Sequence, residues 1–255
     1  MNWLLFIPIA FLCGSIPFGF LIGRVRGIDI REHGSGNIGA TNLGRVLGRP
    51  YFFLCFFLDM LKGLVPTAIA GQVMGTLGTF QVEAGDAFWW LGVMFATVLG
   101  HMFTPWLGFK GGKGVATALG ALVGVFPAMS VPAAGAMLVY MMVLMLWRYV
   151  SLSSCSAAAT LPMWVWIVFA HEQTLRERQM SSRRMDWDRL TIDEVAMIKA
   201  DIPNYGMPFF IIALILAILV IYKHRENLAR IARGQEPKLG ESRARENPDT
   251  EGVSG

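Results

Sequence analysis

Apolar residues run along this chain in long blocks, with polar residues gathered between them. The blocks show neither the alternation of a half-buried strand nor the single stripe of a surface helix. They fall at about 2–23, 51–70, 87–105, 115–126, 132–147, 150–170 and 205–222. A transmembrane helix needs roughly 20 mostly apolar residues. The pattern therefore predicts an all-α polytopic membrane protein, a bundle of seven transmembrane helices. The block at 115–126 is short for a full span and is read as tilted or buried within the bundle. The first block has no basic n-region and no cleavage pattern, and Pro8 and Pro17 interrupt it. It reads as a retained helix rather than a signal peptide.

Composition agrees. Only 16% of the 255 residues are charged, against about 25% in soluble domains. Seven spans need about 140 apolar positions, and 54% of 255 residues supplies about 138. Glycine is abundant, at 28 residues, which suits close helix contacts in a membrane and backbone approach to phosphate in polar loops. Cys13, Cys55 and Cys155 lie in apolar runs without a CxxC pair and read as small buried hydrophobes. A net charge of +4 is too mild to argue for nucleic acid.

Seven crossings put the termini on opposite sides. Basic residues in short loops mark the cytoplasm. The loop after the first block carries Arg24, Arg26, Arg31, Arg45 and Arg49; later loops carry Lys110, Lys113 and Arg148; and the last block is followed by Lys223, Arg225, Arg230 and Arg233. The alternate loop at 72–86 has Glu83 and Asp86 and no base. The expected orientation is N-terminus outside and C-terminus inside. The segment 171–204 runs against this: it would lie outside, yet it holds six bases and seven acids. It reads as an extracytoplasmic insertion, a small surface helix or mobile segment, within one membrane-embedded domain spanning 1–240. Residues 241–255 read as a disordered cytoplasmic tail.

Four polar clusters fall on the predicted inner side. In the first, small residues let the loop fold tightly and expose successive N–H groups, with Ser35, Gly36, Asn37, Gly39, Thr41 and Asn42 as donors and Arg45 as a planar fork for phosphate. A flexible turn between helices reads the same residues equally well. No P-loop is present. In the second, Lys110 and Lys113 bracket Gly111 and Gly112 directly before a helix start, an arrangement that suits an anion. Snorkelling would account for the lysines otherwise, for Lys110 better than for Lys113. His101 reads as a structural hydrogen-bonding residue. In the third, His224 and Asn227 are three apart and share a helix face; a basic stop with lipid contacts explains the neighbouring arginines but not that face. The fourth contains Arg148, Ser151, Ser153 and Ser154. Asp59 and Lys62, three apart in an apolar run, read as an intramembrane ion pair.

The histidines lack metal-ligand spacing, no Ser/His/Asp elbow is present, and no histidine is followed at the fifth position by aspartate. Clusters meeting at one membrane face form a site for a small anionic partner. A transporter for a phosphorylated solute would use the same pocket without chemistry, but no repeat with broken mid-span helices is evident. A structural protein whose basic loops bind anionic lipid would tolerate Lys113→Ala and Ser35→Ala.

The stretches SGNIGATN at 35–42, GHMFTPWLGFKGGKGVAT at 100–117 and HRENLARIARGQE at 224–236 resemble the three signatures of the PlsY family, bacterial membrane acyl-phosphate:glycerol-3-phosphate acyltransferases; RYVSLSS at 148–154 resembles a further family stretch. The resemblance covers most of 1–170 and 205–236. The 171–204 insertion and the tail are longer than the family pattern leads one to expect. It implies transfer of a fatty acyl group from acyl phosphate to the sn-1 hydroxyl of glycerol 3-phosphate in the inner membrane, with no cofactor or metal, and coupling to the enzyme that forms acyl phosphate. By motif position, Ser35, Gly36, Asn37, Gly39, Thr41 and Asn42 would meet the acyl-phosphate headgroup. Arg45, Lys113, Ser151, His224 and Asn227 would meet glycerol 3-phosphate, Lys110, Gly111 and Gly112 would bind substrate beside them, and His224, Ser35 and Lys113 would lie closest to the chemistry. His224 is one candidate base; a substrate phosphate oxygen is the other and better suits a site with few acidic groups.

Overall fold

The computed structural model describes residues 3–182 and 205–241, and these are helical apart from turns and connecting segments. The α-helices are α1 (Phe6–Ser15), α2 (Phe18–Val25), α3 (Ala40–Leu47), α4 (Arg49–Met74), α5 (Ala84–Met102), α6 (Val115–Gly124), α7 (Ser130–Trp147), α8 (Val150–Ser182) and α9 (Met207–Ala232). Among the described residues, six segments are long and apolar enough to cross a membrane: Phe6–Val25, Arg49–Met74, Ala84–Leu107, Ser130–Trp147, Val150–Gln179 and Met207–Ala232.

The block at 115–126, short for a full span in the sequence, forms the short helix α6. Its 10 residues reach about 15 Å, half of a roughly 30 Å hydrocarbon core. It starts beside the middle of α4, with Gly120 against the Met60 carbonyl and Gly124 against Leu64 and Thr67. The chain then continues until the Phe126 carbonyl accepts from Gly78 N at 2.8 Å, past the end of α4. The boundaries of three other helices also move. The first span is two helices, α1 and α2. The loop after it contains the eight-residue α3. Helix α8 runs on to Ser182, so 171–182 is helical. The remainder of the expected insertion, 183–204, and the tail from 242 lie outside the described residues.

Pro17 explains the first break, because it has no N–H to continue the ladder and pushes Ile16 out of the helical region. Polar groups at the break also bond to neighbouring helices and loops. Ile16 O accepts from Lys62 Nζ (2.6 Å), Ser15 O accepts from Thr104 Oγ (2.6 Å), and Ser15 Oγ accepts from Trp106 Nε1 (2.8 Å). Inside a bilayer such groups must find protein partners.

Close contacts between small residues set the packing. Gly14 and Gly100 bring α1 onto α5, where an added Cβ would lie 2.1 Å from the Thr97 and Phe11 carbonyls respectively. Gly63 and Gly120 do the same for α4 and α6, at 2.1 Å from Thr117 O and 1.9 Å from Met60 O. The main core lies among α5, α6, α7, α8 and α9, with Trp90, Met94, Val165 and Phe209 fully buried. A smaller cluster of Ile30, Ile38, Leu43 and Cys55 anchors α3 and its loop against α4. Gly120→Ala is expected to force α4 and α6 apart, costing at least about 1–3 kcal/mol; a lowered thermal unfolding midpoint in detergent checks it.

Candidate functional site

The first wall of the site is the loop before α3. Asp29 organises its base: Oδ1 accepts from Arg31 N (3.1 Å) and Nε (2.9 Å), and Oδ2 from Arg31 (2.6 Å) and Arg24 (3.1 Å). The Arg31 guanidinium holds that carboxyl well below the usual carboxylate range. Asn42 reaches back from α3 and ties the loop: Oδ1 accepts from Ser35 N (2.8 Å), and Nδ2 donates to His33 O (3.0 Å) and Ile30 O (3.4 Å). Asn37 Oδ1 accepts from Gly39 N (2.9 Å). Gly36, at φ +69°, supplies a left-handed turn that other residues resist.

The second wall is the loop before α6. Gly111 N and Gly112 N donate to Met102 O (3.3 Å) and His101 O (3.1 Å), which fixes the loop on the end of α5. Lys113 then projects into the site and donates to Asn227 Oδ1 at 2.5 Å. Burial pushes the Lys113 ammonium down to about 8, with Arg230 and Arg45 adding to the shift and Glu236 opposing it.

The third wall is the continuation of α9 beyond its expected end, with the strap of chain that follows. His224 and Asn227 are both buried on one face of α9. His224 Nδ1 donates to Val220 O at 2.8 Å, so Nε2 is left as an acceptor. Past Gly234 the chain folds back over α8, and Glu236 enters the site. Its Oε1 accepts from Asn227 Nδ2 (2.7 Å) and Ser151 Oγ (3.1 Å), and Oε2 from Arg230 Nε (2.8 Å). Burial would raise the Glu236 carboxyl, but these donors outweigh it and hold the group below its ordinary value. Three further bonds fasten the strap: Arg45 to Pro237 O (3.3 Å), Leu239 N to Arg148 O (2.7 Å) and Arg148 to Leu239 O (2.8 Å).

The floor is a charged cluster on α4 and α5. Lys62 Nζ pairs with Asp59 Oδ1 at 2.7 Å, as the spacing in the sequence suggested, and both side chains are buried. His101 Nδ1 faces the same oxygen at 3.6 Å.

These segments enclose one cavity. Of the residues singled out from sequence, Ser35, Asn37, Gly39, Thr41, Asn42, Arg45, Lys113, Ser151, His224 and Asn227 line it. Gly36, Lys110, Gly111 and Gly112 do not appear on its wall. Gly36 turns the first loop, Lys110 is exposed, and Gly111 and Gly112 pack against the end of α5. The wall also includes Asp59, His101, Glu236, Ser154 and Tyr140, with Phe52 and Phe56 on an apolar side. Asp59 and Glu236 are the acidic groups on the wall among the described residues. Both are already committed, Asp59 to Lys62 and Glu236 to three donors. The donors around Glu236 show what the arrangement does chemically: hydroxyl, amide and guanidinium groups converge on a carboxylate, and the same groups suit a phosphate.

Helices of membrane-spanning length, with a cationic, hydroxyl-lined cavity at one end of the bundle, define an integral membrane protein built to hold an oxyanion next to an apolar wall. A family model described as glycerol-3-phosphate acyltransferase matches residues 4–234. Glycerol-3-phosphate acyltransferases from Aquifex aeolicus and Geobacter sulfurreducens are 34% and 37% identical over 239 and 240 residues, covering 94% of this chain in each case and 100% and 98% of the relatives. The crystal structure of PlsY (YgiH), an integral membrane glycerol 3-phosphate acyltransferase, is similar in its glycerol 3-phosphate form, with TM-score 0.71 and 34% identity over 94% of this chain and 96% of that one. Its lysophosphatidic acid form gives TM-score 0.68 and 33% identity, over 93% and 95%. The chain belongs to the glycerol-3-phosphate acyltransferase family and is a membrane-integral acyltransferase of lipid biosynthesis.

Acyltransferase activity is expected to fall as pH rises through about 8, where the Lys113 ammonium loses its proton. Lys113→Arg, which keeps its charge, should move that alkaline limb upward, and Lys113→Ala should cost at least ~100-fold in kcat. A pH–rate profile of the three proteins checks both.

Proposed function

We propose that this enzyme moves a fatty acyl group from acyl phosphate to the sn-1 hydroxyl of glycerol 3-phosphate, giving lysophosphatidic acid and inorganic phosphate in the first acylation of phospholipid synthesis. The observation that carries the proposal is the convergence of the motifs at 35–45, 113, 151 and 224–227 on one cavity with an apolar side. Two phosphates and an alkyl chain are what such a cavity suits. Ser35, Asn37 and Thr41 hold the acyl-phosphate headgroup with the N–H groups around Gly39, on a loop that Gly36 and Asn42 shape. Arg45, Lys113, Ser151, His224 and Asn227 hold glycerol 3-phosphate. Gly111 and Gly112 set the position of Lys113, while Lys110 acts at the membrane surface.

The donor is already activated, so no protein nucleophile is required. The sn-1 oxygen attacks the acyl carbonyl, the ester bond forms, and the bond from the acyl carbon to the phosphate oxygen breaks. The hydroxyl proton ends on the departing phosphate. Positioning supplies up to ~7–11 kcal/mol of the barrier, and donors aimed at the developing oxyanion add several more. His224 Nε2 orients the attacking hydroxyl as its hydrogen-bond acceptor.

The chain crosses the bacterial inner membrane seven times, with its N-terminus outside and its C-terminus and cavity facing the cytoplasm. In support, α6 begins at the cavity wall and its extension ends beyond the far end of α4, and Arg45, Lys113 and Arg148 lie at the cavity or its strap, as positive charge marks the inner face. The enzyme that forms acyl phosphate is a coupled partner at that face.

Purified protein given palmitoyl phosphate and glycerol 3-phosphate is expected to release phosphate and form lysophosphatidic acid in equal amounts, and to release none from either substrate alone. Binding of both without turnover would favour a carrier of phosphorylated solutes. A His224→Gln enzyme that keeps measurable activity should retain the wild-type pH–rate profile; loss of the acid limb would make the imidazole the base instead.

A further inference from the structure

Two histidines line the cavity, and each turns Nδ1 toward a protein oxygen. His224 Nδ1 donates to the Val220 carbonyl. His101, 5% exposed, turns Nδ1 toward Asp59 Oδ1 at 3.6 Å, and no protein group hydrogen-bonds that nitrogen. This is too long for a formed hydrogen bond, but a carboxylate at that distance favours the proton on Nδ1 and leaves Nε2 as an acceptor. Asp59 is itself held, by Lys62 Nζ at 2.7 Å and by Cys55 Sγ, which donates to Oδ2 at 3.6 Å. Lys62 in turn donates to the Ile16 carbonyl beside Pro17. The carboxylate that faces the ring is therefore fixed by a chain of buried groups.

Its other edge lies against residue 112. A Cβ at that position would fall 2.2 Å from His101 Nε2. The absence of a side chain there makes room for the imidazole, which lines the cavity. Gly112 thus has a use that its position off the cavity wall did not suggest.

Glycerol 3-phosphate carries two hydroxyls, and the cavity carries two imidazoles with Nε2 as acceptor. We infer that His101 accepts a hydrogen bond from the secondary hydroxyl of the acyl acceptor, so that His101 determines specificity, with Asp59 setting its tautomer and Gly112 making room for its ring. The inference rests on the proposed reaction, in which His224 takes the sn-1 hydroxyl. A buried acceptor that meets a hydroxyl in the right substrate is left unpaired by an analogue lacking it, and the site discriminates against that analogue.

The test compares kcat/KM for glycerol 3-phosphate with that for 1,3-propanediol monophosphate, which lacks the secondary hydroxyl, with palmitoyl phosphate as donor. The wild-type enzyme is expected to prefer glycerol 3-phosphate by at least ~100-fold. His101→Phe should reduce that preference to within about 10-fold, chiefly by losing activity on glycerol 3-phosphate, and should leave KM for palmitoyl phosphate in place. His101→Gln, which offers a carbonyl acceptor, should restore part of it. Gly112→Ala keeps the imidazole but forces it from its place, so, whatever it does to overall activity through Lys113, it should lower the same ratio, and it decides the matter if His101→Phe turns over neither substrate. A wild-type ratio near one, or a ratio unchanged in both His101→Phe and Gly112→Ala, overturns the inference. A wild-type protein that forms no product from either acceptor overturns the parent reading instead, and the two failures are thereby distinct.

Discussion

A single carboxylate draws the entrance of this cavity together. Glu236 is buried, yet it accepts from Ser151 on α8 and from Asn227 and Arg230 on α9, and Asn227 in turn accepts from Lys113. A buried charge is tolerated only where its partners converge on it. Here those partners come from separate helices and from the loop before α6, so satisfying one charge fixes the relative placement of all of them. Polar contacts of this kind matter because helix packing in a bilayer lacks the drive to exclude water.

The same requirement operates deeper, with another set of groups. Pro17 breaks the helix between α1 and α2, and Lys62 and Thr104 bond to carbonyls at the break. The Lys62 charge then calls for Asp59, and Asp59 faces His101. A break in one helix, an ion pair on a second and an imidazole on a third are thus parts of one arrangement. Close contact at Gly63 and Gly120 brings α6 to the same depth, so the loop carrying Lys113 is placed by backbone packing on one side and by the end of α5 on the other.

Much of this was legible in the chain itself. Long apolar blocks announced the helices, because a bilayer imposes both length and composition. Polar motifs stood out at 35–45, 110–113 and 224–227 because nothing in an apolar environment explains them. The Asp59–Lys62 pair was readable from spacing alone. Its meeting with His101 was not, since that depends on how α4 and α5 pack across about forty residues of separation. Glu236 closes the 224–236 motif, and nothing in the sequence singled it out; the return of the strap over α8 buries it. The block at 115–126 outruns α6 by two residues, because its apolar character continues past Gly124 to Phe126 whereas the helix ends at Gly124. Helix α3 was missed because its eight residues, which follow a glycine-rich stretch, are too few to show a helical pattern until Leu43 is buried.

The strap also constrains how the protein can be handled. Glu241 lies only five residues beyond Glu236, a reach of at most about 18 Å of extended chain, and Leu239 is locked to Arg148 by a reciprocal pair of hydrogen bonds. A bulky fusion joined near this point would stand over the mouth of the cavity, and pulling on it would load the bonds that seat Glu236. Reporter domains and affinity handles therefore belong at the other end of the polypeptide, or behind a generous spacer.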